Sequence, residues 1–425
     1  MQNTSNHQTP HLTTANTGPL NILEKHILEK EKDIEQWFEQ QWQLSPAPIY
    51  GSVDLRNAGF KLAPVDMNLF PAGFNNLNPD FLPISIAAAR QAFHQVSPTA
   101  KKILIIPESH TRNTFYWTNI QVLTDILTQA AFDVRLGTLN AQGLETPTGL
   151  KISSLVREGS ILKVDDFTAD IILLNNDLSE GIPAILNHLQ QRLVPPAELG
   201  WHQRLKSGHF KHYADITDAF ARLINIDPWF IAPLFKNCYD INFMSHEGIE
   251  CLESNVHDLL LAIQKKYDTY KIQEKPFVVI KADAGTYGMA VMTVRSAIEI
   301  SSLNRKQRSH MAKTKGNQAV SQVIMQEGVY TFETWSNSNA VAEPVVYLWG
   351  QRVVGGFYRV HKDRGIDENL NSPGMHFEPL AFAKTCHEPA HNTSPGECQN
   401  RFYVYGVVAR LSMLAAAREM LEQAS

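Results

Sequence analysis

The order of helical and strand-like segments differs between the two halves of the chain, and this order constrains the fold more than any other feature of the sequence. In the first half, apolar strand-like segments alternate with helical ones, as where "KKILIIPES" at 101–109 precedes a helical segment at 118–131. Such alternation predicts parallel strands joined by crossover helices. In the second half, strand-like segments follow one another through short turns, which predicts antiparallel sheets. These segments lie at 277–282, 289–295, 323–327, 341–348 and 352–360.

The two patterns predict a protein of combined α/β and α+β class with two domains. Residues 1–20 are polar and are expected to form a disordered tail. Residues 21–195 are expected to form a mostly parallel α/β domain, and residues 196–425 an α+β domain.

Two segments of the first half have weaker patterns. Residues 50–82 mix polar, glycine and proline residues without a clear period, so we expect a long irregular segment, which inside a compact domain is usually functional. Residues 182–193, "IPAILNHLQQRL", are predicted to be a helix that follows a buried strand.

Charge and composition exclude several classes of protein. The 425 residues carry a net charge of -5 with a pI near 6.3, which argues against nucleic acid as a partner. The first twenty residues lack the apolar core of a signal peptide, and no later run approaches the ~18 apolar residues of a membrane span. The 4 cysteines fit thiols in a reducing compartment. We therefore expect a cytoplasmic protein without a membrane partner, and the oligomeric state stays open.

A lysine interrupts the apolar segment "VVIKADAGTYGMAVMTV" at 278–294. Lys281 ends one predicted strand, and Gly285, Thr286 and Gly288 lie in the turn that leads to the next. Glycines allow close backbone approach, so amides of the turn can face phosphate oxygens while the lysine adds a positive charge. The segment predicts a hairpin lid over a nucleotide. It has neither P-loop nor dinucleotide-fold spacing, and a plain hairpin with a lysine at a strand end is the alternative.

The next strand-like segment, "SQVIMQEGVYTFE" at 321–333, runs into a glycine-containing turn. An adenine ring needs one backbone donor and one acceptor beside apolar walls, and such a hinge supplies them. We expect nucleotide contacts here, with the last residue reaching the ribose, although an ordinary strand and turn would show the same pattern. The candidates are Gln326, Glu327, Val329 and Glu333.

Charged and amide side chains crowd the segment "RVHKDRGIDENLNSPG" at 359–374. Carboxylate and amide oxygens bind Mg²⁺, and guanidinium groups bind phosphates. Asp367 and Asn369 point the same way if the segment is extended, which predicts a magnesium site. Arg359 and Arg364 are candidates for stabilising the charge that develops on a phosphate. A solvated charged loop is the alternative.

The order of these three elements resembles the ATP-grasp superfamily, in which a strand lysine and a lid cover the phosphates, a hinge holds adenine and a late acid-x-Asn pair binds magnesium. "DENLNSPG" is similar to the "E-x-N-x-x-S-P" ending of bacterial glutathione synthetases, with Asp367 in place of glutamate. The resemblance implies ATP and Mg²⁺, a lid at 277–330 and a core at 331–425. The second acidic magnesium ligand stays open, because the expected position is basic, Arg359; Glu343 is a further candidate acid.

Longer motifs resemble one family more closely. "DLRNAGFKLAPVDMNLFPAGFNNL", "IPESHTRNTFYW", "LGWHQRLKSGHF" and "KADAGTYGMAVMTV" are similar to the glutamate-cysteine ligase family first recognised in acidophilic iron-oxidising proteobacteria, over most of residues 50–415. The resemblance implies ATP-dependent joining of the γ-carboxylate of L-glutamate to L-cysteine through an acyl phosphate. The product would be γ-glutamylcysteine, in the first step of glutathione biosynthesis.

Both substrates of such a ligase are zwitterions, so their site needs basic groups for carboxylates and an acid for ammonium. The first motif offers Arg56, Lys61, Asp66, Asn68, Asn75 and Asn76, of which Asp66 is the candidate for the ammonium group. The second motif offers side chains directly after a predicted parallel strand, where open α/β sheets bind ligands. These are Glu108, His110 and Arg112. Helix caps and loop contacts are the structural alternative for each of them.

Other interpretations remain open from the sequence alone. "CHEPAHNTSPGEC" at 386–398 contains thiols and imidazoles that could bind zinc, although its spacing matches no standard zinc finger. The chain could also be another ATP-dependent carboxylate-amine ligase, or a binding protein for nucleotides or amino acids without catalysis. None of the 4 cysteines lies in the motifs that predict chemistry, so we expect activity to survive their replacement.

Overall fold

The computed structural model describes residues 19–108, 112–139, 146–285, 290–313, 319–335, 339–379 and 401–424. The helices in these ranges are α1 (Pro19–Glu29), α2 (Glu31–Leu44), α3 (Leu82–Val96), α4 (Thr114–Gln129), α5 (Lys206–Ile224), α6 (Ile249–Tyr270), α7 (Ile298–Ser301), α8 (Arg305–Met311) and α9 (Arg401–Ala424). The strands are β1 (Tyr50–Asn57), β2 (Leu62–Asn68), β3 (Lys102–Pro107), β4 (Asp133–Thr138), β5 (Ser153–Ser154), β6 (Val156–Glu158), β7 (Ile161–Val164), β8 (Phe167–Thr168), β9 (Ile171–Asn175), β10 (Arg192–Val194), β11 (Phe235–Cys238), β12 (Val278–Ala282), β13 (Val291–Val294), β14 (Val323–Glu327), β15 (Glu333–Trp335), β16 (Ala340–Trp349), β17 (Arg352–His361) and β18 (His376–Pro379).

The described strands form a parallel sheet and three antiparallel ones. The parallel sheet has the order β10-β9-β3-β4-β5. The central sheet has the order β18-β17-β16-β1-β2, with β15 paired to β16. A four-stranded sheet has the order β11-β14-β12-β13, and a small sheet consists of β6, β7 and β8. The prediction of a mixed α/β protein with a parallel sheet and antiparallel sheets is confirmed. The strands β1 and β2 and the small sheet of β6, β7 and β8 belong to the first half of the chain but are antiparallel.

The parallel sheet is buried on both faces. Ile103 and Ile105 of β3 pack in one apolar cluster with residues of α3 and α4. Leu104 and Ile106 point the other way, into a second cluster that also contains residues of α5 and α9. Because both faces are covered, the strand is a continuous apolar run in the sequence, which is why it could be predicted.

The prediction of a helix at 182–193 is wrong. The segment contains a short 3-10 turn at Ala184–Leu186 and then returns to the parallel sheet as β10. His188 has φ 52, a left-handed conformation that interrupts a helix. Gln191 donates its amide to the carbonyls of Leu162 and Ala169, both at 2.9 Å. These contacts to distant segments replace the hydrogen bonds of the predicted helix.

The segment at 50–82 is also more regular than expected, because it begins with the β1–β2 hairpin. β1 lies between β16 and β2 in the central sheet. Its apolar residues Val53 and Leu55 pack in the same cluster as α9, while Asp54 and Arg56 point to the opposite face. The register shifts between Asp54 and Leu55, so that β2 carries a bulge at Val65. This bulge, with a proline beside it, masks the strand pattern in the sequence.

The four-stranded sheet lies over α6 and shares an apolar cluster with it. In its register Lys281 of β12 pairs with Val291 of β13 and with Ile324 of β14. The strands predicted at 277–282, 289–295 and 323–327 are confirmed. No helix in the described part of the chain is long and apolar enough to cross a bilayer.

Candidate active site

A pocket lies where the four-stranded sheet faces the central sheet, and we call it the lysine pocket. Its wall includes Lys281 of β12, Gln326 of β14 and Arg359 of β17. Asp367, Glu368, Asn369 and Asn371, from the segment after β17, complete the wall on one side. The lysine and the acid-amide segment are remote in sequence, and the fold brings them to one pocket.

Lys281 is held at the wall by two oxygens. Its Nζ donates to the carbonyl of Val65, the bulge residue of β2, at 2.7 Å, and to Oε1 of Gln326 at 2.8 Å. Burial lowers the pKa of Lys281 to about 8. The amine therefore holds its proton less tightly than an ordinary lysine, and charges placed beside it change its pKa.

Two residues that line the lysine pocket each have a side-chain donor without a hydrogen-bond partner among the described residues. The donors are Nε of Arg359 and Nε2 of Gln326, and both atoms are buried. Buried polar atoms in folded proteins are almost always satisfied, so an unsatisfied pair at one pocket indicates a place for a ligand with acceptor atoms.

A buried network of charges forms the floor of the lysine pocket. Nη1 of Arg359 contacts Oδ2 of Asp54 at 2.9 Å and Oε1 of Glu343 at 2.5 Å. Arg56 donates its Nε to Oε2 of Glu343 at 2.9 Å and its Nη2 to the carbonyl of Glu368 at 2.5 Å. Burial alone would raise the pKa of Glu343, but the two guanidinium groups lower it. The network therefore fixes two arginines beside the acid-amide segment.

The acid-amide segment, residues 367–371, offers oxygen ligands for a metal, although Asp367 and Asn369 already have protein partners. Asp367 is ion-paired with Arg295, and Oδ1 of Asn369 accepts from the amide of Asn371 at 2.9 Å. No group of three or more Asp, Glu, His or Cys side chains in the described ranges could hold a metal alone. Mg²⁺ at nucleotide sites takes one or two carboxylates together with substrate phosphates. The donors fit a metal that arrives with phosphates, and do not fit a metal held by protein alone.

A second and larger cavity, of about 1190 Å³, adjoins the lysine pocket, and we call it the large cleft. Its wall contains residues 175–179, which follow β9, and Glu108 and Arg112, which follow β3. Ligands of open α/β sheets bind at these carboxyl ends of parallel strands. The hairpin and the segment after it contribute Asp66, Asn68, Asn75 and Asn76.

The two cavities meet at four side chains that line both of them. These are Asp54, Asp66, Arg359 and Asn371. Lys206, the first residue of α5, lies with its Nζ 3.7 Å from Oδ1 of Asp66 and 2.9 Å from the carbonyl of Gly285. Burial alone would raise the pKa of Asp66, but the cations of Lys206 and Lys281 lower it. Asp66 is therefore a permanent negative charge at the junction.

Comparison with known proteins identifies the family. The model of the GshA family, described as glutamate-cysteine ligase, matches residues 24–420. The chain belongs to the glutamate-cysteine ligase family. The enzyme is thus an ATP-dependent ligase of glutathione biosynthesis whose substrates are glutamate and cysteine.

A solved structure supports the same family. A crystal structure from Methylobacillus flagellatus KT, provisionally assigned as a gamma-glutamylcysteine synthetase, has a TM-score of 0.89 and 53% identity, and the match covers 97% of this chain and 99% of that one. D-alanyl-alanine synthetase A from Vibrio cholerae O1 biovar eltor gives a TM-score of 0.35 at 11% identity, over 74% of this chain and 81% of that one. The search of curated proteins gave no match.

Most of the predicted site residues line one of the two cavities of the ligase. The lysine pocket contains Lys281, Gly285, Gln326, Glu327, Val329, Arg359, Asp367 and Asn369. The large cleft contains Asp66, Asn68, Asn75, Asn76, Glu108 and Arg112. Arg56, predicted among the amino-acid ligands, lines the lysine pocket instead.

Three predicted residues lie outside both cavities. Lys61 is buried in an ion pair with Glu327, with its Nζ 2.8 Å from Oε2, and it lies over the ring of Trp229. Glu333 is buried and contacts Asn57 and Tyr405. Arg364 is exposed and contacts Glu368 and Ser372. Each of the three side chains has a protein partner, and their ligand contacts stay predictions.

Some predicted residues lie outside the described ranges of the ligase. They are Thr286 and Gly288 of the lid turn, His110 of the second motif, and the zinc candidate at 386–398. Their roles stay predictions.

The sequence reasoning missed Asp54 and Lys206. Asp54 belongs to the short alternation Ser-Val-Asp-Leu-Arg of β1, which indicates that three polar side chains share a face. Lys206 lies in the motif "LGWHQRLKSGHF", but nothing in that motif alone distinguishes it from a surface lysine. Its position depends on Asp283, which caps the start of α5 by accepting from the amide of Ser207 at 2.7 Å.

Proposed function

We propose that this ligase activates the γ-carboxylate of glutamate as an acyl phosphate at the junction of the two cavities and then transfers the γ-glutamyl group to the amine of cysteine. The observation that carries the proposal is the junction itself. The lysine pocket, which is lined by cations and by residues with unsatisfied donors, meets the large cleft beside Arg359 and Asp66. The cleft is lined by charged and amide side chains that can bind a zwitterionic amino acid. An acyl phosphate mechanism needs nucleotide and carboxylate to meet at such a place.

In this proposal the lysine pocket binds ATP in an ATP-grasp-like arrangement. Lys281 contacts the phosphates, and Arg359 stabilises the charge that develops on the transferred phosphoryl group. The amides of Glu327 and Gly328 already donate to the carbonyls of Leu234 and Phe277, at 2.7 and 2.8 Å. We therefore assign the hinge contact with adenine to Val329, with the amide of Gln326 as a side-chain donor.

We further propose that Asp367 and Asn369 hold Mg²⁺ together with the phosphates of ATP. When bound, the ion neutralises phosphate charge. Arg295 occupies Asp367 in the structure, so this ion pair is expected to loosen as the ligand set forms.

The large cleft is proposed to bind the amino acids, so that residues 21–195 serve mainly amino-acid binding and residues 196–425 mainly nucleotide binding. Arg112 is the candidate for an α-carboxylate, because it lies in the wall and a guanidinium forms paired hydrogen bonds with carboxylates. Asp66 is the candidate for the ammonium of glutamate. Asn68, Asn75 and Asn76 offer amide donors and acceptors to the rest of the molecule.

Isotope transfer tests the proposal. Glutamate labelled with ¹⁸O in its γ-carboxylate is incubated with ATP, Mg²⁺, cysteine and the enzyme, and the products are analysed by mass spectrometry. An acyl phosphate requires that one label atom appears in inorganic phosphate, and glutamate labelled only in the α-carboxylate is the control. Label in AMP would contradict the proposal and indicate adenylation, and label in neither product would contradict it as well.

A further inference from the structure

Two aspartates face each other across the β1–β2 hairpin at the junction of the lysine pocket and the large cleft. Asp54 of β1 and Asp66 of β2 are partners in the antiparallel register. Both carboxylates line the pocket, and both line the cleft. If the acyl phosphate forms at this junction, the attacking amine approaches its carbonyl beside these two side chains.

Asp66 is surrounded by cations. Nζ of Lys206 lies 3.7 Å away, Lys281 adds a second positive charge and Arg204 a third, and together they hold the pKa of Asp66 below its usual value although burial opposes this. A carboxylate that stays ionised can bind an ammonium group as a counter-ion, but it is a poor acceptor of a proton.

Asp54 has different surroundings. Arg359 contacts Oδ2 of Asp54 at 2.9 Å, and the carboxylates of Glu343 and Asp66 face it from the neighbouring strands. Lys281 and Tyr347 also interact electrostatically with Asp54. Burial raises the pKa of Asp54 above its usual value, and the guanidinium offsets this only in part. Two adjacent carboxylates whose proton affinities are pushed apart are a common basis for a division of roles in acid-base catalysis.

The ligation needs a proton acceptor. Cysteine binds with a protonated amine, and its nitrogen must lose a proton before its lone pair can attack a carbonyl. No histidine among the described residues lines the lysine pocket or the large cleft. The acceptors that the described geometry places at the junction are the carboxylates of Asp54 and Asp66.

We propose that Asp54 accepts the proton of the cysteine ammonium group. The freed amine attacks the carbonyl carbon of the γ-glutamyl phosphate and forms the C–N bond, and the C–O bond to phosphate breaks with its electron pair on the phosphate. The second proton of the nitrogen leaves with the phosphate as hydrogen phosphate, and Asp54 returns its proton to solvent after product release. Asp66 keeps its charge throughout and holds the ammonium of glutamate. This assignment rests on the acyl phosphate proposed above.

Hydroxylamine separates the two halves of the reaction. It is unprotonated at neutral pH, so it attacks an acyl phosphate without a proton acceptor and yields γ-glutamyl hydroxamate. We expect Asp54→Asn to form the hydroxamate within about threefold of the wild-type rate and to form γ-glutamylcysteine about 100-fold more slowly or worse. Asp54→Glu keeps a carboxylate and should recover part of the loss. Asp165→Asn is the matched control, since Asp165 is exposed, pairs with Lys151 and lies outside both cavities.

The outcomes separate the possible roles of Asp54. Equal losses of hydroxamate and of γ-glutamylcysteine would mean that Asp54 only positions Arg359, and would overturn the proposal. An unchanged rate with cysteine would overturn it too. The ¹⁸O experiment on the wild-type enzyme tests the acyl phosphate by itself, so a failure there is distinguishable from a failure of Asp54.

A measurement on the wild-type enzyme makes the test independent of how the variant folds. With cysteine saturating, kcat should rise with pH and level off once Asp54 is ionised, well below the pH at which the amine of cysteine deprotonates in water. In Asp54→Asn, kcat should instead keep rising about tenfold per pH unit through neutral pH, because the variant depends on the unprotonated fraction of the amine. A wild-type profile with that same continuous rise would refute the role.

Discussion

At the scale of single residues, Lys281 is the cation on which the nucleotide site depends. Its Nζ lies at the wall of the lysine pocket, and within the described part of the chain it donates to oxygens of Val65 and Gln326. We predict that Lys281→Ala lowers kcat/KM for ATP about 100-fold, because a preorganised donor to phosphate is lost, with a small change in the KM for glutamate. Steady-state kinetics at subsaturating ATP measure this.

The control for Lys281 is Lys265→Ala, which removes an exposed lysine of α6 outside both cavities. Full turnover of Lys281→Ala at low ATP would contradict the role of this lysine.

Asp367 is predicted to act through magnesium. Asp367→Asn keeps the size of the side chain and removes one negative charge, so it should raise the Mg²⁺ concentration for half-maximal activity about tenfold or more. Titration of activity with Mg²⁺ at fixed ATP measures the shift. Asp363→Asn, four residues earlier and exposed, should leave the titration unchanged. Equal curves for Asp367→Asn and the wild type would remove this residue from the metal site.

Sequence reasoning proposed Lys281 as a charge within an apolar segment and Lys61 as a basic group for a substrate carboxylate. A buried charge is costly unless something compensates it. For Lys61 the compensation is Glu327, a protein partner far along the chain. For Lys281 the partners are neutral oxygens in a pocket wall. Only the tertiary contacts distinguish the two cases.

At the scale of elements, a buried ion pair fixes α9 to the segment before α5. Arg204 contacts Glu419 of α9 through two nitrogens, at 2.8 and 3.1 Å, and also donates to the carbonyl of Met67 in β2 at 2.8 Å. His209 of α5 contacts the same carboxylate at 2.5 Å. These contacts support the strand that carries Asp66.

The pKa of Glu419 predicts how stability depends on pH. Burial alone would raise this pKa, but the charge of Arg204 lowers it to about 2, below the ordinary value of 4.5. A carboxyl with a lowered folded-state pKa stabilises the fold above its unfolded-state pKa, and this contribution is lost as the pH falls toward the folded-state value. The contribution is about 3 kcal/mol.

Glu419→Gln tests this contribution. We predict a free energy of unfolding about 3 to 5 kcal/mol lower at neutral pH, because the variant leaves Arg204 buried without its counter-ion. The difference from the wild type should shrink from about pH 5 to about pH 3, as the wild-type carboxyl becomes protonated. Glu422→Gln, an exposed change on the same helix, is the control. A difference that stays constant over this range would contradict the lowered pKa.

The elements that could be predicted were those whose own side chains decide their structure. β3 and β12 are apolar runs that only a sheet interior accommodates, and α4 has buried apolar residues at helical spacing. The prediction of a helix at 182–193 was wrong, because hydrogen bonds from Gln191 to distant carbonyls decide the conformation of this segment. The β1–β2 hairpin was not predicted, because the bulge at Val65 breaks the alternation of polar and apolar residues in β2. That same bulge supplies the carbonyl that holds Lys281, so the irregularity and the site have one origin.

At the scale of the whole molecule, catalysis is assigned to charges and positioning without a covalent enzyme intermediate. We therefore predict that replacement of all 4 cysteines by serine leaves kcat within about threefold of the wild type. Cys238 and Cys251, whose sulfurs lie 3.3 Å apart, are outside both cavities. Activity assays with the thermal midpoint as a folding control measure this. A folded variant without activity would show that a thiol takes part in the reaction.

The central sheet explains why the site could not be assembled from sequence alone. It pairs β1, near the start of the chain, with β16 near its end, and so brings Asp54 beside Glu343 and Arg359. The individual motifs were visible in the sequence, but this pairing and the junction it creates depend on contacts between distant segments. Asp54 and Lys206, which lie at the junction, were missed for that reason.

A crystal structure of the enzyme with Mg²⁺, ADP and glutamate tests the central claim most directly. We predict phosphate oxygens within hydrogen-bond distance of Nζ of Lys281, with the metal beside Asp367 and the γ-carboxylate of glutamate at the junction near Arg359. A nucleotide bound elsewhere, for example in the cavity lined by Trp201, His202 and Gln322, with Lys281 still bonded to Val65 and Gln326, would contradict the claim.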